Sequence, residues 1–420
     1  MERYSEYKDS GVQWLGEIPG HWKQFQFRKF FKIKKVIAGK EGFDVLAITQ
    51  QGIKIKDITR NEGQLAANYS GYQIVNPTDF AMNHMDLLTG YIDISKYYGV
   101  TSPDYRVFTN ISEEADSKYY LYIFQLCYKR KIFFGLGQGV ANKGRWRLPA
   151  VQLNKFYLPL PPLSEQHSIV SYLDDKCGKI DKILEGKQKQ IELLAEMKQR
   201  IIADAVTRGL NPDVKMKATN IPWLPEIPEH WNCIKLKAFC KDNREKNKGN
   251  VESCVLSLSY GKVIVKQNVN FGLVPDNYEN YQIVKPGYII LRLTDLQNDH
   301  KSLRTGLVKN RGIITSAYVG LVVNNINHEY VHLLLHSYDV MKVFYGMGGG
   351  LRQSMSYQDI SNLYVPVPPL SEQRAIVSYI TDKTAKIDTL TSKLQQEIES
   401  IKEYKQRLIS DVVTGQIKVC

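Results

Sequence analysis

The chain has 420 residues, enough for two to four domains that each bury a core, and 43% of it is hydrophobic, a globular share. Lys and Arg number 56 against 43 Asp and Glu, and the resulting net charge of +13 favours an anionic partner, nucleic acid foremost. No apolar run nears the roughly 20 residues of a membrane span. The start MERYSEYKDSG lacks the apolar stretch of a secretory signal, and Cys127, Cys177, Cys233, Cys240, Cys254 and Cys420 form neither a CxxC pair nor a Cys/His metal spacing. These features argue against a membrane, secreted or metal-site protein and imply reduced thiols in the cytoplasm.

In chain order, the first landmark is WLGEIPGHW from Trp14, where His21 beside Trp22 reads as domain packing. Short apolar-aromatic runs follow. FDVLAIT (from Phe43) and LYIFQLCY (from Leu121) read as strands between Gly, Asn and Asp turns, with YQIV at Tyr72 and Asp86 between them. FFGLG at Phe133–Gly137 fits F-x-G-x-G, a loop that can bind S-adenosylmethionine in methyltransferases. Neither a catalytic motif of that class nor a βαβ unit follows. NKGRWR leads instead to a proline motif, so the loop reads as a Gly/Arg/Gln segment facing a phosphate backbone or base edges, or as a plain turn. There is no P-loop, and His84, His167 and His300 stand apart from any triad arrangement.

PPLSEQ at Pro161 opens a helix. The prolines end the extended stretch, Ser164 suits an N-cap, and Glu165 complements the positive end of the dipole. Ile180, Leu184, Ile191, Leu194, Ile201 and Ala205 follow 4-then-3 steps, with Lys187 and Lys198 in the remaining places. This is an a/d seam sustained over about four heptads, ended by Gly209.

The second half then repeats the first. WLPEIPEHW returns at Trp223 with His230, YQIV at Tyr281, Asp295 in step with Asp86, and FYGMG at Phe344. ESCVLSLS and GYIILRL again read as strands. PPLSEQ returns at Pro368, with Ser371 and Glu372 repeating the helix start. Without gaps, residues 161–207 match 368–414 at 26 of 47 positions. The second seam holds Ile387, Thr391, Leu394, Ile398, Ile401, Lys405, Leu408 and Val412 before Gly415. The fold class is therefore α+β: a tandem duplication with pseudo-two-fold symmetry, in which two mixed α/β globular domains (1–157 and 213–364) are separated by two long helical segments (158–212 and 365–420). Each helix needs a partner for its stripe, and the other copy is the obvious one, giving an intramolecular coiled coil; pairing between subunits of a homodimer is the alternative. The helices match and the globular parts have drifted, as expected of two similar readers tuned to different words.

With YKDSGVQWLGEIPGHW (Tyr7–Trp22), its echo at Trp223, LPLPPLSEQHSIVSYLDDK and VPVPPLSEQRAIVSYITDK, the chain resembles the specificity (S) subunits of type I restriction–modification enzymes along essentially its whole length. That resemblance implies two target recognition domains, each reading one half of a bipartite, asymmetric sequence in double-stranded DNA. It implies that the two helices form an antiparallel coiled-coil spacer that docks methyltransferase (M) subunits, two of them, and a complex joined by two restriction (R) subunits. The chain itself is then non-catalytic, with no cofactor or metal of its own, and S-adenosylmethionine, ATP and Mg belong to the partners. Within this reading the candidate DNA-binding residues of the first domain are Gln50, Gln51, Lys54, Lys56, Gln138, Lys143, Arg145 and Arg147. Those of the second are Tyr260, Lys262, Lys266, Arg292, Arg352, Gln353 and Ser354. Arg and Gln suit bidentate base contacts and Lys suits phosphates. The rival readings are a single-chain methyltransferase or nuclease with an unrecognised site, and a coiled-coil adaptor that does not touch DNA.

Overall fold

The computed structural model describes residues 2–59, 66–139, 146–266, 277–299, 302–347 and 354–419. The chain forms two compact units: residues 1–187 with 396–420, and residues 188–395.

In the first unit, strands β1 (Tyr7–Asp9), β2 (Glu17–Pro19), β3 (Lys23–Gln26), β4 (Phe31–Lys34), β5 (Leu46–Thr49), β6 (Gly52–Ile55), β7 (Gln73–Val75), β8 (Phe80–Met82), β9 (Ile92–Ile94), β10 (Gly99–Thr101) and β11 (Arg106–Asn110) precede helices α1 (Ser117–Lys129), α2 (Ile132–Gly135) and α3 (Ala150–Lys155). Strand β12 (Tyr157–Leu160) then leads into α4 (Leu163–Arg208). The central antiparallel sheet runs β4-β11-β8-β9, flanked by the hairpin β5–β6 and the pairs β7–β10, β3–β12 and β1–β2. Its core is aromatic. Phe27, Phe31, Phe80, Phe108 and Phe124 are all buried, with Phe80 stacked on Phe108 at 4.9 Å across the β8–β11 register. Such ring pairs add about 0.5–1.5 kcal/mol beyond their burial.

The second unit repeats the plan with β13 (Met216–Ile221), β14 (Leu224–Pro228), β15 (Asn232–Lys235), β16 (Cys240–Asp242), β17 (Leu256–Ser259), β18 (Lys262–Val265), β19 (Gln282–Val284), β20 (Ile289–Leu291), β21 (Thr305–Leu307), β22 (Gly312–Ile314) and β23 (Val319–Val323). Helices α5 (His328–Val340) and α6 (Tyr357–Ser361), strand β24 (Tyr364–Val367) and helix α7 (Leu370–Val413) complete the chain. The sheet order β16-β23-β20-β21 matches the first unit. Its filling differs: Ile289 pairs with Leu321 where Phe80 pairs with Phe108. Rings in one core and aliphatic chains in the other occupy the same register, which lets the sequences drift while the fold stays.

LYIFQLCY, expected as a strand, lies inside helix α1. The Asp116 side chain caps it by accepting from the Tyr119 N–H at 2.8 Å, and Tyr120, Ile123, Phe124, Cys127 and Tyr128 form a buried helical stripe. β-Propensity in that run yields to a cap and a core-facing period. Ser164 is likewise not the N-cap. The helix starts at Leu163, the Gln166 N–H bonds the Pro162 carbonyl (3.0 Å), and Pro369 receives Gln373 in the same way (3.0 Å).

In each unit α4 and α7 pack together through apolar residues. In the first unit Leu173, Cys177 and Ile180 of α4 and Leu408 and Val412 of α7 are buried. In the second unit Ile202 and Ala205 of α4 and Ile380, Ile387 and Leu394 of α7 are buried, with Ile191, Leu194 and Ile201 half-buried. Ile398 is buried, and Leu184 and Ile401 are half-buried, in the first unit. The lysines that interrupt the stripe keep their stems on it and send their ammonium groups to the partner helix. Lys405 bonds Asp181 (2.6 Å) and Lys187 bonds Glu397 in the first unit; Lys198 bonds Asp388 (2.6 Å) in the second. Residue numbers rise on one helix as they fall on the other, so α4 and α7 pair antiparallel.

Candidate nucleic-acid interface

The scaffold under the candidate site is a set of polar clamps that decodes the repeated SEQ tripeptide. Glu165 accepts from the indole N–H of buried Trp22 (2.8 Å) and the hydroxyl of Tyr4 (3.0 Å), and its other oxygen meets His21 Nε2 (2.5 Å). In the second unit one oxygen of Glu372 accepts from the Trp231 indole N–H (3.0 Å) and also meets His230 Nε2 (2.9 Å). Gln166 donates to the Glu114 and Pro161 carbonyls (2.8 and 2.9 Å) and accepts from the Asp116 N–H (2.8 Å); Gln373 donates to the Pro368 carbonyl (2.8 Å) and accepts from the Asn327 N–H (2.9 Å). The far helix end docks on the same layer. In the first unit Tyr119 donates to the Val413 carbonyl (2.8 Å), and in the second Tyr330 donates to the Val206 carbonyl (3.0 Å). His21 and His230 thus serve packing, as the sequence implies, with the helix Glu as the element to which they pack.

Above this scaffold three segments adjoin in each unit. In the first, the β5–β6 hairpin turns at Gln50-Gln51, both exposed. Gln50 Nε2 donates to the Thr89 carbonyl (3.2 Å), and the Lys54 ammonium donates to Gln51 Oε1 (2.5 Å). The 83–90 turn, built on the Asp86 carboxylate, is held in turn by the Leu87 N–H bonding the Trp146 carbonyl (3.3 Å). There the glycine loop closes as a two-way bridge, Gln138 N–H to Arg147 O (2.8 Å) and Arg147 N–H to Gln138 O (3.0 Å), with both side chains exposed. Gly137 is needed because a Cβ there would run into the Trp146 indole, whose N–H donates to the Phe134 carbonyl (2.7 Å). The FFGLG motif is therefore a short helix and a tryptophan seat. Lys56 is half-buried and lines a cleft of 440 Å³ with Tyr69, Tyr72, Asn83, Asp86 and Tyr105. Lys143 and Arg145 lie outside the described residues.

In the second unit the β17–β18 hairpin turns at Tyr260-Gly261, with Tyr260 90% exposed and Lys262 exposed beside it; Lys266 follows the hairpin, half-buried. Gly261 packs on Leu303, and Gly306 on Leu258 and Val263, which seats the hairpin on the 303–306 segment. Arg292 points back into the protein, 3.5 Å from Asp299. Ser354 is exposed, and the following Met355 N–H bonds the Leu293 carbonyl (2.8 Å), so the segment from Ser354 adjoins the 292–299 turn. Arg352 and Gln353 lie outside the described residues. The structure therefore brings Gln50, Gln51, Lys54, Gln138 and Arg147 onto linked segments of one unit, and Tyr260, Lys262, Arg292 and Ser354 onto linked segments of the other.

Two organising groups escaped the sequence reading. Arg304 is fully buried: its guanidinium donates to the carbonyls of Arg292 (3.1 Å), Thr294 (2.8 Å), Asp295 (3.2 Å) and Asp299 (2.5 Å) and to the Tyr345 hydroxyl (3.0 Å). It fixes the 292–299 turn from within. In the first unit, Arg106 donates to the Leu148 carbonyl (2.8 Å), and the Leu148 N–H bonds the His84 carbonyl (3.0 Å). Burial, then the nearby Arg106 and Arg147 charges, push the His84 pKa down to about 3, so its ring is neutral at physiological pH. An arginine inside a polar stretch such as DHKSLR gives no sign of burial; the only hint is the Gly306 that follows. Among the described residues no His/Cys/Asp/Glu group is arranged to hold a metal, and no helix is long and apolar enough to cross a membrane.

Comparison with known proteins places these features in context. The family model for the type I restriction modification DNA specificity domain matches the chain twice, over residues 21–193 and 228–400. The chain is 24% identical to the putative type I restriction enzyme MjaX specificity subunit of Methanocaldococcus jannaschii, covering 96% of each chain. It is 26% identical to the MjaVIII specificity subunit of the same organism over 62% of each. Among solved structures, it superposes at a TM-score of 0.67 and 13% identity on a chain from work on complex assembly and conformational transition of the type I R-M system, covering 95% of this chain and 99% of that one.

Proposed function

The chain belongs to the type I restriction–modification DNA specificity family, and from that premise we propose that each of its units reads one half of a split, asymmetric target in double-stranded DNA. The observation that carries this reading is the contrast between what repeats and what does not. The clamps, the sheet order and the seam recur in both units, whereas the hairpin tips differ, Gln50-Gln51 against Tyr260-Gly261. Gln side chains suit bidentate reading of adenine, and Lys54 and Lys262 beside the tips suit phosphates. The chain is a non-catalytic subunit of a cytoplasmic complex; S-adenosylmethionine, ATP and Mg are held by its partners.

Those partners are two M subunits and two R subunits. Supporting two M subunits is a second apolar feature of the helices. By the heptad count, Ile183 and Tyr404 fall on one flank of the pair in the first unit, and Met197 and Leu390 on the same flank in the second, each about half exposed. Apolar side chains outside the seam at matching positions suit one docked subunit per unit.

The test is a domain exchange. Residues 1–157 are replaced by the same region of another specificity subunit, and the methylome of a host carrying the hybrid with its M subunit is sequenced. One half of the methylated motif should change and the other persist; a hybrid that altered both halves, or an active one that altered neither, would contradict the division of labour. The purified chain should transfer no methyl group from labelled S-adenosylmethionine to DNA on its own.

A further inference from the structure

We propose that Tyr260 is a wedge: its ring enters the base stack of the half-site read by the second unit and partly unstacks one step. This rests on the DNA-reading function above and adds a mode of contact to it.

Three observations carry it. First, Tyr260 is 90% exposed, and among the described residues its ring touches no other aromatic or cation and its hydroxyl has no hydrogen-bond partner. A tyrosine left wholly in water gains nothing for the fold, whereas it offers a rigid π-face to a partner. Second, the turn holds it in a conformation that tyrosine disfavours. Tyr260 and Gly261 are both left-handed (φ 46° and 74°), the two-residue hairpin turn that selects Asn-Gly or Asp-Gly. A bulky residue kept at positive φ is maintained by something other than local preference. Third, the tip is mounted rigidly. Leu256 and Leu258 of the hairpin are buried, Gly261 is pressed on Leu303, and a Cβ at Gly306 would stand 2.5 Å from Leu258, so the hairpin cannot fold away when the ring meets DNA. Lys262 on the exit strand stands ready for a flanking phosphate.

The first unit lacks the device. Its tip glutamines are tied to Thr89 and Lys54, which suits reading a base edge and not entering the stack. One half-site is then read by edge contacts and the other with a local distortion.

The experiment uses the assembled M–S complex and a duplex carrying its methylated motif, with 2-aminopurine substituted in turn at each position of the second half-site and beside it. In the wild-type complex one probe should brighten on binding. The signal should persist in Tyr260→Phe and vanish in Tyr260→Ala, with affinity about tenfold weaker, as expected from losing one base–aromatic stack. Brightening that survives Tyr260→Ala, as from a base flipped by the methyltransferase, overturns the wedge. So does a Tyr260→Ala complex that binds like the wild type, or a wild-type complex that binds its site while no probe responds. A complex that binds no DNA at all overturns the underlying DNA reading instead. Because the side chain lies in solvent, the melting temperature of both variants should match the wild type, which separates these outcomes from misfolding.

Discussion

At the scale of single residues, two cases translate geometry into measurable stability. His84 is held neutral, its pKa lowered from 6.5 to about 3 by burial and by Arg106 and Arg147. A histidine with a depressed folded pKa contributes stability that is complete above 6.5 and is lost as pH falls from there toward 3, because the unfolded chain takes up the proton first. The first unit should therefore weaken by about 1–2 kcal/mol between pH 7 and pH 5, and His84→Gln should flatten that slope in urea titrations at the two pH values. An unchanged slope would show that the imidazole gains a proton freely. The helix-ending glycines make the second case. Gly209 and Gly415 are both left-handed (φ 79° and 75°). A Cβ at Gly209 would lie 3.1 Å from the Glu372 carboxylate and 3.2 Å from the buried Trp231 ring, tight contacts that a few tenths of an ångström of movement relieve, but at Gly415 it would press into the Pro19 ring and stand 2.9 Å from Trp22. Gly209→Ala should cost about 1–2 kcal/mol, chiefly the left-handed penalty, and Gly415→Ala about twice that, read as separate shifts in thermal unfolding.

At the scale of elements, the seam shows how a polar residue can sit on a coiled-coil stripe. Lys198 and Lys405 occupy core steps and reach Asp388 and Asp181, two pairs equivalent in the repeat. Such half-exposed pairs contribute only ~0–1 kcal/mol, while a leucine at the same step buries more apolar surface. Lys198→Leu should raise the denaturation midpoint modestly, by about 0.5–1 kcal/mol, at the risk of looser register; a large loss on urea titration would mean that the ion pair outweighs packing. The same helices were the most legible part of the sequence, since a 4-3 period over four heptads admits little else. The globular parts were harder to read. Leu121–Tyr128 carries strand-favouring residues yet lies in α1, because the signal that decides it is a cap at Asp116 and a core contributed by distant strands. The PPLSEQ repeat announced a helix, but the role of Glu165 as acceptor for Trp22, some 143 residues away, depends on a contact that no local pattern contains. In the candidate site, the hairpin tip at Gln50-Gln51 and the exposed Arg147 could be chosen by chemistry. Arg304 and the inward turn of Arg292 could not, because burial of a guanidinium is a property of the assembled loop.

At the scale of the whole molecule, the repeat in the sequence and the units of the fold are cut at different places. The sequence repeats at about residue 208, yet the second unit is the continuous stretch 188–395, while the first needs residues 1–187 and, in addition, 396–420. Tyr119 and Tyr7 donate to the carbonyls of Val413 and Gly415, and Gly415 lies against Pro19 and Trp22. On the ribosome, then, the order of emergence is not the order of completion. The unit that leaves the exit tunnel first waits for residues 396–420, while the unit made second already has all its parts. Domains made as continuous stretches can close in the order they appear; this one cannot. A chain ending at Gln395 should give, on limited proteolysis, a resistant fragment from the second unit and rapid cleavage within residues 1–187, and supplying residues 396–420 as a peptide should restore protection. If both units resisted equally without it, the closing segment would be dispensable. A nascent chain stalled before residues 396–420 would thus hold one finished unit and one open one, so termination at that point in the message would leave the first unit unfinished.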